Sequence, residues 1–357
     1  MKFGIVNRSE SGIFRYQGWP TVCRDEDGVL YAVCSGHRIG HICPFGKNLM
    51  YKSYDEGNTW SAPAIINDTV LDDRDGGIVS LGGGKLLVTY FNHPRESFYD
   101  ERWWLHTCKD KALQALARGA VESWRAMPSE SFAPGSFIRK SSDGGTTWGG
   151  AIKVPVTAPH GPIKLRDGRL LYVGSPFYFE GYGRGRLYVM ESLDDGETWS
   201  RISAIEKPKS EINDYYEPHC IELPNGRIFA AIRTQPTSDY LDIRLSGCFS
   251  DDGGHSWSRP EPLGIFGAPP HLMLHSSGAV VLTYGRRLAP FGERARISYD
   301  NCLTFGEEIV ISEEAKDHDM GYPSTVELSD KSLLTVYYQK LPEDDFCSIL
   351  YTKWQLP

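Results

Sequence analysis

Three ionisable side chains occupy the same place in three different repeats of this sequence. Asp75, Glu217 and Tyr322 each stand nine residues ahead of a turn slot, at Gly84, Gly226 and Lys331 respectively. The corresponding places in the other repeats hold Trp19, Pro159 and Pro269. Carboxylates exchange protons and a phenol can serve as acid, base or nucleophile. Two acids and a tyrosine brought to one point therefore make a candidate catalytic centre. His160, His219 and His271 lie beside three of these places. Three imidazoles around one axis could hold a transition metal, but His160 is one slot out of step with the other two. Contacts to substrate hydroxyls or packing at strand ends suit them better, and neither a metal nor a cofactor is expected.

A repeat must position these residues. Six phrases begin at residues 18 (GWPTVCRDEDGVL), 74 (RDGGIVSLGGGKL), 160 (HGPIKLRDGRL), 216 (YEPHCIELPNGRI), 268 (APPHLMLHSSGAV) and 321 (GYPSTVELSDKSL). Most read as a short strand, a tight turn and an apolar second strand. The turn slots Gly28, Gly84, Gly168, Gly226, Gly278 and Lys331 are 52 to 58 residues apart, except for one longer gap. A period of about 50 residues with four strands per unit marks a β-propeller. Six copies predict an all-β, six-bladed propeller over residues 1–357. The chain ends one strand short of a sixth blade, and the opening MKFGIVN is the strand predicted to close the ring, leaving no open edge.

A second phrase recurs as SYDEGNTW, SSDGGTTW, SLDDGETW, SDDGGHSW and a worn SYDNCLTF. It fits a turn between a blade's third and fourth strands: the Asp accepts amide bonds, the Gly permits positive φ, and the Trp packs between sheets. Sites repeated five times cannot all be one active centre, so Asp55, Asp143, Asp194, Asp252 and Asp300 are scaffold.

Composition narrows the function classes. The 357 residues are 40% hydrophobic and 24% charged, with a net charge of −8. That balance argues against nucleic acid or an anionic membrane as a partner. No apolar run approaches the ~18 residues of a membrane span, and the N-terminus lacks the apolar core of a secretory signal. The eight cysteines are scattered without a CxxC pair and read as reduced, buried thiols, which predicts a cytoplasmic, bacterial-type protein. The long gap between Gly84 and Gly168 predicts an insertion over residues 93–136 of blade 2. Leu105, Leu113, Leu116 and Val121, with Trp103, Trp104 and Trp124, suggest a helical period that Pro128 ends. Following a second strand, the insertion should emerge on the pocket face as a lid, a substrate wall or a homo-oligomer contact. The blade 3 loop FYFEGYGRGR, residues 177–186, suits sugar stacking.

The S-x-D-x-G-x-T-W turn is the Asp-box, and six such blades resemble the sialidase (neuraminidase) superfamily over nearly the whole chain. The resemblance implies a tyrosine nucleophile in the last blade and a glutamate partner from mid-chain. Tyr322, in GYPSTVEL, matches the first and Glu217, in YEPHCIEL, the second. An anomeric carbon that bears a carboxylate repels a carboxylate nucleophile, whereas a neutral phenol attacks while Glu217 takes its proton. The family also holds the substrate carboxylate with three arginines, whose planar forks bind it bidentately. Arg233 matches the second and Arg294 the third, with Arg286 and Arg296 as nearby competitors. Asp75 matches an acid near the sugar's ring substituents.

Two departures stand out. The slot of the family's first arginine is Gly18, followed by Trp19, and Arg15 lies three residues early. The loop that carries the family's aspartate acid/base reads SGHRIGHICPFGKN, without an acid. His37 and His41, flanking Arg38, are its titratable candidates, and Asp75 is the fallback. Arg38, Arg74, Trp19 and the three axial histidines complete the set of expected substrate contacts. The expected activity is a sialidase-like, exo-acting glycoside hydrolase that removes an acidic terminal sugar (sialic acid or a relative) with retention. Its partner would be an acidic oligosaccharide or glycoside. The alternatives are a hydrolase or lyase acting on a uronic-acid-containing glycan through a catalytic histidine, and a non-catalytic glycan-binding propeller.

Overall fold

The six turn slots adopt left-handed backbone, with φ of +87° at Gly28, +74° at Gly84, +92° at Gly168, +87° at Gly226, +89° at Gly278 and +69° at Lys331. Each joins the first strand of a blade to its second. The structure is a computed structural model that describes all residues except 184, 209–210 and 237–241. Its strands form six antiparallel sheets. The inner strands are Tyr16–Arg24, Arg74–Gly82, the split pair Val156–Thr157 and Ile163–Lys164, Asn213–Glu222, Pro270–Leu274 and Gly321–Glu327. Neighbouring blades touch through their inner strands, except that the inner strand of blade 4 meets the second strand of blade 3, and the inner strand of blade 6 returns to that of blade 1. The opening strand Lys2–Asn7 pairs with the last strand Ser348–Trp354, Lys2 opposite Lys353 and Ile5 opposite Leu350. The ring is closed by joining the two ends of the chain in one blade, the opening strand supplying the outermost strand of blade 6.

The hydrophobic core is divided into wedges between blades. Leu30, Ala32 and Tyr51 of blade 1 pack with Leu334, Val336 and Tyr351 of blade 6. Similar clusters join blades 1 and 2, 2 and 3, 3 and 4, 4 and 5, and 5 and 6. The Asp-box turns seal the outer ends of these wedges. In the first, Asp55 Oδ1 accepts from the amides of Asn58 and Thr59 at 3.1 and 2.9 Å, and Oδ2 accepts from Thr59 Oγ1 at 2.7 Å. Gly57 has φ +78°, and a Cβ there would stand 2.3 Å from Leu334 Cδ1, so glycine serves both the turn and the wedge. In the worn fifth copy Cys302 takes that position at φ +64°, and its amide still reaches Ser298 Oγ at 2.9 Å. None of the eight cysteines is paired, and all but Cys23 are buried.

These turn carboxylates have a pH signature. The bonds from Thr198 to Asp194 hold that carboxyl down at about 2, against ~3.9 in an unfolded chain. Its contribution to stability is therefore complete above about pH 4 and is lost as pH falls through about 2. Asp194→Ala should lower the thermal midpoint by a few degrees at pH 7, and calorimetry should find the difference vanishing near pH 2.

Candidate active site

The places picked out by counting along the sequence share a backbone irregularity. Trp19, Asp75, Glu217 and Tyr322 have φ of +56°, +43°, +40° and +55°. At each the ladder to the second strand slips register, between Gly18 and Thr21, Arg74 and Gly77, Tyr216 and His219, and Gly321 and Ser324. A bulge of this kind re-aims one side chain out of the strand's alternation.

Tyr322 Oη donates a short hydrogen bond to Glu217 Oε1. Glu217 Oε2 accepts from Arg233 Nη1 at 2.5 Å, and Arg233 is fixed in turn by Gln235 Oε1 at 2.6 and 3.1 Å. Burial raises the Tyr322 phenol well above its usual range, and the charges of Glu217 and Asp75 add to this. Burial acts on Glu217 in the same sense, but the charge of Arg233 and the bonds from Tyr322 and Arg233 outweigh it and hold the carboxyl below its usual value. At neutral pH the pair is thus a protonated phenol bonded to a carboxylate. Asp75 lies 4.0 Å from Arg74 Nε and is pushed up to about 7, mainly by burial against the opposing charge of Arg74.

Arg287, which sequence reasoning missed, is the guanidinium beside the tyrosine, its Cζ 5.6 Å from the Tyr322 ring centre. It makes no ion pair with the described residues, and its charge acts on Tyr338, Tyr322, Glu217 and Asp319. Arg294, expected in this role, faces elsewhere. It is 1% exposed, and its guanidinium is engaged by Ser312 O at 2.6 Å, Pro290 O at 3.2 Å, Glu313 at 3.1 Å and Glu308 at 3.3 Å. The expectation for Arg294 is corrected accordingly. Arg286 pairs with Glu308 at 3.2 Å, and Arg296 reaches Gly306 O at 2.7 Å. The signal lay in the doublet Arg286-Arg287, whose members point to opposite sides of a strand end.

Arg38 is also corrected. It is wholly buried, bidentate to Asp72 at 2.5 and 2.8 Å, and it donates to His41 O at 2.9 Å. Arg74 Nη1 donates to the same carbonyl at 3.0 Å. Both guanidinium groups stack on Trp19, Arg74 at 4.2 Å and Arg38 at 4.8 Å. Trp19 itself is 1% exposed, so it is a support for neighbouring groups and not a surface for a ligand. Arg15 lies over the Phe346 ring at 4.2 Å, and His37 stacks on Phe14 at 3.8 Å. His41 does reach the site. Its Nδ1 is 2.8 Å from Asp319 Oδ1 and 3.0 Å from Tyr16 Oη, and its ring meets the Trp19 ring edge-on at 4.8 Å.

Beneath these groups lie the three histidines. His219 and His271 stack at 4.5 Å, and His160 sits 4.9 Å from His271 and 6.5 Å from Tyr322, ring centre to ring centre. His219 Nδ1 accepts from Leu272 N at 3.0 Å, His271 Nδ1 accepts from Thr325 N at 3.3 Å, and His160 Nδ1 is 3.0 Å from Thr21 Oγ1. Burial pushes all three pKa values down, that of His219 to about 3. They form a neutral layer tied into the strands. Among the described residues no group of three ligating side chains is arranged to hold a metal ion.

A sequence profile described as "BNR repeat-like domain" matches residues 119–336, more than half of the chain. The chain belongs to the BNR repeat-like domain family. No curated protein matches it in sequence. Among solved structures this BNR propeller is similar to a protein of unknown function from Dyadobacter fermentans (TM-score 0.80, 21% identity, 99% of this chain and 98% of that one). It is also similar to the NanB sialidase of Streptococcus pneumoniae (TM-score 0.69, 15% identity, 99% and 70%). A third match is the α-L-arabinanase of Penicillium chrysogenum, complexed with arabinobiose (TM-score 0.67, 15% identity, 99% and 98%). At such identities the likeness is one of fold, a sialidase-like propeller, and the fold alone does not choose a sugar.

The insertion of the BNR propeller backs the His41 loop. Its main helix, Lys111–Ser123, starts on Asp110, whose carboxylate accepts from Ala112 N and Leu113 N, an N-cap. Ala117, Val121, Trp104 and Trp124 pack with Ile39, Cys43 and Leu71 of blade 1 and the connection that follows it. Leu116, expected on the buried face, is 45% exposed, because the buried stripe runs through Gln114, Ala117 and Val121. Thr107 Oγ1 donates to Ile42 O at 2.9 Å and accepts from Ile42 N at 3.2 Å. In the 177–186 loop, Tyr178 and Phe177 contact His93, while residue 184 lies outside the described residues. A Cβ on Gly40 would stand 2.6 Å from Thr107 O. Gly40→Ala should therefore cost about 1–3 kcal/mol in denaturant unfolding, the usual range for overpacking, and should loosen the loop that carries His41.

Proposed function

We propose that this protein is a retaining, exo-acting glycoside hydrolase that removes an acidic terminal sugar. The observation that carries the reading is the Tyr322–Glu217–Arg233 chain, a neutral phenol bonded to a carboxylate that an arginine keeps ionised. In the first step Tyr322 Oη bonds to the anomeric carbon, the glycosidic C–O bond breaks, Glu217 takes the phenol proton, and an acid protonates the leaving oxygen. In the second step water attacks that carbon, the tyrosyl C–O bond breaks, Glu217 returns the proton to Tyr322, and the acid is restored. His41 and Asp75 are the candidates for the acid. Arg287, with no ion pair among the described residues, is suited to the substrate carboxylate, and its charge and that of Arg233 both act on Glu217 and Tyr322.

The test is a panel of aryl glycosides, sialosides and uronides included, with wild type and two variants. Tyr322→Phe should lose on the order of 10³-fold or more in kcat while still binding the sugar. Arg287→Ala should raise KM by roughly ten- to a hundredfold, the loss of a charged hydrogen bond, and should do so only for sugars that carry a carboxylate. Cleavage of uronides alone would favour the histidine-centred reading, which the His41–Asp319 contact supports. Binding without turnover on any member of the panel would favour a glycan-binding propeller.

A further inference from the structure

One carboxylate in the site takes no part in that reaction. Asp319 stands three residues before Tyr322, at the mouth of blade 6. Its Oδ1 is 2.8 Å from His41 Nδ1, accepts from Tyr16 Oη at 2.8 Å and is 3.3 Å from Tyr338 Oη. Its Oδ2 faces Lys340 Nζ at 3.3 Å. A carboxylate at Nδ1 makes that nitrogen the donor, which leaves Nε2 bare in the neutral ring. His41 Nε2 makes no hydrogen bond to the described residues, and the side chain is a third exposed. Asp75, by contrast, has a buried Oδ1 with no hydrogen-bond partner and Arg74 only at 4.0 Å, so no hydrogen bond to that oxygen aims it.

We propose that Asp319 is the positioning residue of His41, holding its tautomer and direction so that Nε2 protonates the leaving oxygen. The proposal rests on the retaining-hydrolase reading of the same site. The imidazolium gives its Nε2 proton to the leaving oxygen as the glycosidic bond breaks, and keeps the Nδ1 proton bonded to Asp319. In the second step Nε2 takes a proton from the attacking water, which restores the imidazolium. Asp319 stays ionised throughout.

The surroundings of His41 set the signs. Burial lowers its pKa, Asp319 raises it, and Arg74 and Arg287 lower it; the balance is downward, so the imidazolium that gives the proton belongs to the acidic side of the pH profile. Arg38 and Arg74 both bond its carbonyl, and Tyr16 and Trp19 flank the ring. Burial opposes the charge of Asp319, but His41, Lys340 and Tyr16 together hold that carboxyl far below its usual range.

The test needs no turnover to begin. Histidine ring ¹⁵N NMR would be followed against pH in wild type, Asp319→Asn and Lys340→Met, with His41→Asn for assignment. Wild-type His41 should be the Nδ1–H tautomer when neutral. Asp319→Asn should lower its pKa by about one unit or more, whereas Lys340→Met, which removes a cation behind Asp319, should raise it. A folded Asp319→Asn protein with an unchanged His41 pKa and tautomer overturns the proposal. If that variant does not fold, the absence of an upward shift in Lys340→Met does the same. On whichever acidic glycoside wild type cleaves, Asp319→Asn should lose roughly a hundredfold with an alkyl leaving group and far less with nitrophenol, which leaves without a proton. The basic limb of kcat/KM should also move to lower pH. Equal losses on both leaving groups overturn the proposal while leaving Tyr322 as nucleophile intact, whereas full activity in Tyr322→Phe would remove the hydrolase reading instead.

Discussion

The site depends on a left-handed residue at the mouth of an inner strand. In a regular strand successive side chains face opposite sides of the sheet, here the two neighbouring blades, and none is aimed along the axis. The bulges at Trp19, Asp75, Glu217 and Tyr322 break that alternation in blades 1, 2, 4 and 6. Such a conformation costs a non-glycine residue about 1 kcal/mol or more, and the ladder on either side holds it in place. In blades 3 and 5 the same place holds Pro159 and Pro269, whose rings fix φ at negative values. Those blades bring His160 and His271 toward the axis instead, in a layer bonded to neighbouring strands. Asp75, Glu217 and Tyr322 thus come from blades whose slot residue turns left-handed.

Burial presses every ionisable group here toward its neutral form, and the neighbours decide which yield. Glu217 stays an anion because Arg233 is bonded to it, and Asp319 stays one beside His41 and Lys340. Asp75 has Arg74 only at 4.0 Å and the Glu217 charge against it, and it rises to about 7. Tyr322 has two carboxylates near it and keeps its proton. Pairs of similar groups pushed in opposite directions are what acid–base chemistry at neutral pH requires. The same residues leave one cation, Arg287, without an ion pair among the described residues, next to the phenol.

The fold was legible because a propeller writes its period into turn chemistry, and the same ruler located Asp75, Glu217 and Tyr322. It worked because the slot is defined relative to a turn whose geometry admits few residues. It worked less well beyond the second strand, where loop lengths vary. Arg294 has suitable spacing from Tyr322 but lies in the third strand of its blade, while Arg287, at the end of the second, reaches the ring. Asp319 was invisible for a different reason. It precedes its strand in a polar run, DHDMG, where three candidates are indistinguishable without coordinates. Trp19 looked like a ligand contact because its slot faces the axis, yet two guanidinium groups cover it.

The departures from the sialidase pattern are physically linked. With a tryptophan beside the slot of the family's first arginine, Arg74 and Arg38 stack on that ring and direct their donors at His41 O. The loop they grip carries a histidine where the family has an aspartate, and its far side is held by Thr107 of the insertion. The carboxylate missing from this loop reappears as Asp319, on the segment that leads into Tyr322. A negative charge therefore stands beside this loop, but it comes from the segment leading into blade 6 and is bonded to an imidazole. An aspartate at position 41 would face Asp319 as a like charge, and a side chain at position 18 would start in van der Waals contact with the Tyr16 and Tyr338 rings, each 3.4 Å from its Cβ. The tryptophan, the histidine, the insertion and Asp319 are joined by one run of contacts around the loop that carries His41, beside the Tyr322–Glu217 pair.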